Sequence, residues 1–269
     1  MPNFAGKHLR MAGFLFHDII FGPVRSRRLG LSLGINLLPL HAKHCSFNCI
    51  YCECGWTPPQ QASPAELPAR GEVAAFLEKR LSELVAEDYL PDALTYAGNG
   101  EPTLHPQFAE IVNDTLSIRD RLAPGAAVTV LSNASMVHVP GVFRALCRLD
   151  HNIQKLDAGT EEMLRLINHP KSGLHMEKLV DDLARFEGRV TIQTMFLRGN
   201  YRGHPIDNTT PQEVDAWIGH LLRIRPKMVM IYPIARETPL PGLEKIATSE
   251  LETIGQKVRA AGLAVQVYP

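Results

Sequence analysis

Apolar positions along the chain follow two rhythms. Short runs rich in Val, Ile and Leu, at 31–38, 93–97, 127–131, 152–156, 190–196, 228–232 and 264–267, read as strands buried on both faces. Between them apolar residues recur at helical spacing. The first such set is Val73, Phe76, Leu77, Leu81, Leu84 and Val85, and the second Val142, Phe143, Leu146 and Leu149. Leu179, Val180, Leu183 and Phe186 form a third, and Val214, Trp217, Ile218, Leu221 and Leu222 a fourth. Ser249 and Glu252 have capping-box spacing ahead of Ile254 and Val258. Strands alternating with helices predict an α/β fold with a parallel sheet and right-handed crossovers. Six units are too few for an eight-fold barrel, so an open partial barrel or a doubly wound sheet is expected.

Composition narrows the class. Of 269 residues 45% are hydrophobic and 21% charged, which excludes wholesale disorder. Lys plus Arg and Asp plus Glu are 28 each, so the net charge is zero. That balance disfavours a nucleic-acid partner without excluding a local basic patch. No apolar run approaches the roughly 20 residues that span a bilayer. The opening ten residues lack a secretory pattern, and a cytoplasmic, reducing compartment is expected. Residues 55–70, rich in Pro, Gln and Ala, read as a loop. Residues 1–30 read as an N-terminal extension wrapped on a domain of residues 31–269.

The cysteines carry the chemistry. Of five, Cys45, Cys49, Cys52 and Cys54 fall within ten residues, while Cys147 is remote. Such clustering does not suit a secreted disulfide framework. Cys45, Cys49 and Cys52 are spaced C-x3-C-x2-C directly after the first strand. Thiolates hold iron–sulfur clusters, and three on one loop leave the fourth iron of a cubane open to another ligand. The alternative is a zinc-stabilised, non-catalytic binding module with Cys54 as fourth ligand, although the spacing is not the usual zinc one. Cys147 shares an apolar helix face with Phe143 and Leu146 and reads as a buried thiol.

Polar groups at other strand ends add to the candidates. Gly98-Asn99-Gly100-Glu101-Pro102 follows the second strand; it is either an ordinary strand-to-helix turn or a backbone platform with a carboxylate. Ser132 and Asn133 end the third strand, where they contact a ligand or simply cap a turn. Lys155 and Asp157 sit at i and i+2, on one side of the chain. Such a pair in an apolar stretch is either a mutual ion pair or bound to something polar, a Schiff base at Lys155 included. Arg25, Arg27 and Arg28 form a basic run that is either a solvated surface or a contact for phosphate or carboxylate.

The cysteine motif, with Tyr51 before its third cysteine, resembles the cluster motif of the radical S-adenosylmethionine (SAM) superfamily. Gly98–Glu101, at the next strand end, looks like that superfamily's Gly-Gly-Glu-Pro stretch. Within it, residues 21–30, 34–55, 155–162 and 167–170 are similar to bacterial relatives of the wyosine-synthesising iron–sulfur oxidoreductases. The resemblance implies a partial (β/α)6 barrel holding a [4Fe–4S] cluster and S-adenosylmethionine, fed by a low-potential flavodoxin- or ferredoxin-type donor. It implies Cys45, Cys49 and Cys52 as cluster ligands and Gly98, Asn99, Gly100 and Glu101 at the methionyl end of SAM. Ser132, Asn133 and Gln193 join them, with Tyr51, Met195, Leu197, Gly199 and Tyr232 near adenine, and Lys155 and Asp157 as catalytic candidates. The tRNA-modifying members carry further cysteines for a second cluster, whereas this chain has only Cys54 and Cys147 to spare. An RNA base is therefore less favoured than a peptide, protein side chain or small metabolite.

Overall fold

The computed structural model describes residues 13–60, 62–171 and 173–269. The strands are β1 (Ile20–Ser26), β2 (Gly30–Ile35), β3 (Ala93–Tyr96), β4 (Ala127–Ser132), β5 (His151–Lys155), β6 (Thr191–Tyr201), β7 (His204–Asp207), β8 (Met228–Pro233), β9 (Glu244–Lys245) and β10 (Val265–Val267). The helices are α1 (Arg70–Ala86), α2 (Phe108–Leu122), α3 (Pro140–Leu146), α4 (Glu161–Asn168), α5 (Met176–Ala184), α6 (Pro211–Ile224) and α7 (Thr248–Ala260). The sheet order is β1-β2-β3-β4-β5-β6-β8-β10, with β7 and β9 paired to the long end of β6. From β2 to β10 the neighbours on this path are parallel; β1 is antiparallel to β2.

The pleat sorts side chains between two environments. Leu33, Ile35, Leu94, Tyr96, Val128, Val130, Ile192, Phe196, Val229 and Ile231 join one core cluster with the helices. The alternate positions are small or polar. Ser32 and Thr95 share a 2.7 Å hydroxyl bond, Thr129 is wholly buried, and Gly34 lies so close under Phe21 that a Cβ would collide with that ring. A strand face built this way leaves the concave side of the sheet hollow, as the site requires.

Every strand expected from the sequence is present, within a few residues at the ends. The segment expected only to wrap on the core instead supplies the antiparallel edge strand β1; residues 1–12 lie outside the described residues. Helices α2 and α4 and strands β7 and β9 were not anticipated. Helix α7 starts at Thr248 on an Ala247 cap without a side-chain cap bond, so Ser249 and Glu252 form no capping box. Phe76, Val85 and Leu222 lie 45–49% exposed on the outer flanks of their helices. Among the described residues no helix is long and apolar enough to cross a membrane.

Candidate active site

The chain leaves β2 into a long loop that backbone bonds pin on both sides. His44 N–H donates to Asn99 O at 2.8 Å, and Glu101 N–H donates to His44 O at 3.1 Å. This clasp ties the loop to the turn after β3. It also dictates glycine at position 100, where φ is +142° and a Cβ would run into the His44 carbonyl. On the other side, Asn48 and Ile50 N–H groups donate to Asn168 and Ile167 carbonyls, each at 3.0 Å. The cysteines sit between the two anchors. Cys45 and Cys49 are buried and Cys52 is half-buried. Donors already point at sulfur: Phe47 N–H (3.4 Å) and Asn133 Nδ2 (3.6 Å) at Cys45, and Asn168 Nδ2 (3.4 Å) at Cys49.

One cavity of about 280 Å³ collects nearly all the expected residues. Cys45, Cys49, Cys52, Tyr51, Gly98, Gly100, Glu101, Ser132, Asn133, Lys155, Gln193, Met195 and Tyr232 line it. Glu101 is 2% exposed; its Oε1 accepts from Thr103 N and Oγ1, and its Oε2 from Asn133 N at 2.6 Å. Burial lifts its pKa, and the hydrogen bonds from Thr103, Asn133 and Ser132 oppose the lift.

Four of the expected residues do not line the cavity. Asn99 does not face the cavity: its side chain clamps the Phe16 backbone and Pro39 O, at 2.8 Å for each bond. Asp157 lies behind the wall, 1% exposed. Its Oδ2 accepts from Tyr51 Oη and from Asn168 Nδ2 (2.8 Å), its Oδ1 accepts from Met195 N–H (2.9 Å), and Lys155 Nζ stands 3.5 Å away. Leu197 is fully buried in the cluster that also holds Cys45, Cys49 and Tyr51, and Gly199 packs under Leu243; neither lines the cavity itself.

Lys155 itself donates to Tyr51 Oη at 2.6 Å. Burial works to discharge it, but Asp157 and the neighbouring thiols outweigh that and hold its pKa well above the ordinary lysine value. An ammonium so stabilised is a poor Schiff-base nucleophile.

Lys43, 4% exposed, was missed. It lines the cavity and donates to Gly55 O at 2.8 Å; burial lowers its pKa, and the three cysteines more than reverse this. Cys54 stands beside Cys52. Its hydrogen bond, aided by Lys43 against burial, draws the Cys52 thiol below the ordinary cysteine value. The local signal for Lys43 was its place two residues before the first cysteine. Arg28, from the run expected to be either solvated or ligand-facing, also reaches the cavity wall.

The donor set discriminates between metals. Among the described residues no three His, Cys, Asp or Glu side chains gather around a single ion. Three soft cysteine sulfurs lining one cavity, with amide donors to two of them, fit a multi-iron cage held at its corners. Residues 40–207, which contain the cysteine loop and the turn after β3, match the radical SAM superfamily profile. The chain belongs to the radical SAM superfamily. Its enzymes use a [4Fe–4S] cluster and S-adenosylmethionine.

Curated relatives agree with the family. The UPF0026 protein slr1464 of Synechocystis is 30% identical over 82% of this chain and 77% of its own. The UPF0026 protein MJ1312 of Methanocaldococcus jannaschii is 32% identical over 71% of this chain and 53% of its own. A Brachyspira hyodysenteriae protein named GTPase Obg is 29% identical over 87% of this chain, which spans only 32% of it. The chain thus spans about a third to just over half of these last two relatives. Among solved structures, a radical SAM methyltransferase from Sphaerobacter thermophilus superposes with a TM-score of 0.64 at 16% identity, over 88% of this chain and 65% of its own. Archaeal TYW1 superposes at 0.50 with 12% identity, over 86% and 72%. At these identities the structural matches speak for the radical SAM fold alone.

Proposed function

We propose that this protein is a radical SAM enzyme in which Cys45, Cys49 and Cys52 hold a site-differentiated [4Fe–4S] cluster and SAM is cleaved reductively. The observation that carries the reading is the His44–Gly100 clasp, which sets the three thiols and the Gly98–Glu101 turn on one cavity. A bound cluster and SAM would supply one-electron reductive cleavage of the C5′–S bond, giving methionine and a 5′-deoxyadenosyl radical for hydrogen-atom abstraction from the substrate.

The protein's part is electrostatic and steric. N–H donors on Cys45 and Cys49 favour the more negative, reduced thiolate cage. Gly98 and Gly100 let the methionyl end of SAM approach backbone. The buried Glu101 carboxylate, which has no ion-pair partner among the described residues, suits the SAM ammonium. Lys155 stays charged and acts as a fixed cation beside the thiols, while Asp157 positions it and Tyr51. Met195, Tyr51 and Tyr232 give apolar area that keeps water from the radical. The electron comes from a low-potential flavodoxin- or ferredoxin-type donor, and the substrate is a peptide, protein side chain or small metabolite in preference to an RNA base.

Anaerobically purified protein is expected to contain iron and sulfide and, with dithionite, to release 5′-deoxyadenosine from SAM. Cys49→Ala is expected to lower that release at least 100-fold, and Cys147→Ala to keep it. One zinc per chain with neither iron nor sulfide would overturn the reading in favour of a zinc-stabilised module. Retention on RNA that falls steeply with salt would move the substrate to nucleic acid.

A further inference from the structure

The cavity carries one charge that the chemistry above does not use. Arg28 sits in the turn between β1 and β2, where Ser26 Oγ accepts from the Arg28 and Leu29 N–H groups, each at 3.2 Å. From there its guanidinium enters the cavity wall. Nη1 donates to Gln193 Oε1 at 2.7 Å, and the guanidinium carbon lies 4.7 Å from the Tyr232 ring centroid.

Both partners orient the group, and neither neutralises it. The other charged groups on the wall are compensated or already assigned. Lys155 faces Asp157, Lys43 lies among the thiols, Glu53 pairs with Arg236 at 2.5 Å, and Glu101 awaits the SAM ammonium. Among the described residues Arg28 is the one cavity-lining cation with no anionic partner. Gln193 Oε1 also accepts from Tyr232 Oη at 3.3 Å, and among the described residues the Gln193 amide nitrogen has no partner, which makes it a spare donor beside the guanidinium. A fixed guanidinium fork next to an amide N–H₂ matches the oxygens of a carboxylate or phosphate.

Gln193 was expected among the SAM contacts and Tyr232 near adenine; their strands set this pair apart from the methionyl end of SAM. Glu101, Ser132 and Asn133 follow β3 and β4, whereas Gln193 and Tyr232 come from β6 and β8, beyond β5 in the strand order. Arg28 spans from the β1–β2 turn to those later strands, across the open side of the partial barrel. Its neighbour Arg27 makes the same crossing, with Nη1 donating to Pro269 O at 2.5 Å.

We propose that Arg28, with the Gln193 amide, is the substrate-recognition subsite of this cavity and that the substrate carries a carboxylate or phosphate group. The proposal rests on the radical SAM reading for the word substrate, but the anion site itself does not.

The test is arginine modification by phenylglyoxal, mapped by peptide mass spectrometry on the anaerobically reconstituted wild-type protein. Arg28 is expected to react in the presence of saturating SAM. Inorganic phosphate or benzoate, at ionic strength matched with NaCl, is expected to slow its modification at least fivefold. Protection by phosphate alone assigns a phosphoryl substrate, and protection by benzoate alone a carboxylate; either supports the proposal. Protection by SAM without any added anion would place Arg28 in the SAM clamp and overturn it, as would equal modification with and without both anions. In a second arm, Arg28→Gln is expected to lose the rise in Tm that phosphate gives the wild type; retention of that rise would also overturn it. Failure of the wild type to cleave SAM would remove the radical SAM reading while leaving these anion-binding results intact.

Discussion

Replacing Asp157 by Asn changes a single oxygen to N–H₂ at a buried carboxylate that joins three elements of the site wall. In the wild type the Asp157 carboxylate takes bonds from Tyr51, Asn168 and the Met195 N–H and faces the Lys155 ammonium at 3.5 Å. The amide keeps an acceptor for Met195, but its nitrogen opposes two donors, Tyr51 Oη and Asn168 Nδ2. It also leaves the Lys155 charge, on a side chain 17% exposed, without its counter-ion. Breaking a buried pair by removing one member costs about 3–5 kcal/mol. For a chain of this size that corresponds to a fall in Tm of about 10 °C. Thermal and urea unfolding of the reduced protein measure it. Lys155→Met added to Asp157→Asn is expected to recover more than half the loss, because the stranded charge goes with it. The damage should also reach the cluster, since Tyr51 precedes Cys52 and Asn168 donates to Cys49. Iron content per chain is expected to fall in Asp157→Asn and to recover in part in the double variant. A loss under about 1 kcal/mol, or a double variant no more stable than the single one, would refute the reasoning.

Two further outcomes concern stability. His105 is buried, with Nδ1 accepting from Gln107 N–H at 3.1 Å and Nε2 donating to Pro68 O at 3.0 Å, so the neutral ring is the bonded form. Burial holds its pKa below the ordinary 6.5, which means the unfolded chain takes up the proton first as pH falls. Its contribution is full above 6.5 and lost as pH drops through 6.5 toward the lower folded value; the slope of stability against pH over that window is expected to shrink in His105→Asn, and an unchanged slope refutes the assignment. Gly100→Ala places a Cβ against the His44 carbonyl at φ +142° and is expected to cost about 2 kcal/mol or more together with cluster content. Gly71→Ala, in α1 with open space around it, is expected to gain roughly 0.5–1 kcal/mol, and a reversed order in urea unfolding would refute the clasp argument.

The site was legible in the sequence where its chemistry is local. Cys45, Cys49 and Cys52 lie on one loop, Gly98–Glu101 follows one strand, and Ser132 and Asn133 end another, so strand ends alone bring them to one edge of a parallel sheet. The directions of the Asn99 and Asp157 side chains were not legible, because a motif or a side-by-side spacing does not say which way a polar side chain turns, although the Lys155–Asp157 ion pair was one of the two readings offered. Each is satisfied by partners far away in sequence: Asn99 by Phe16 and Pro39, Asp157 by Tyr51, Asn168 and Met195.

By itself the sequence determined the seven parallel strands and five of the helices between them, through apolar periods that hold whatever the rest of the chain does. It also determined the grouping of the thiols, because their spacing is covalent. Only the tertiary structure decided which charges are neutralised, since that depends on groups from separate strands meeting in a space closed to water. Lys155 is compensated within a few residues, whereas Arg28 finds Gln193 and Tyr232 across the open side of the barrel, at separations no periodicity encodes.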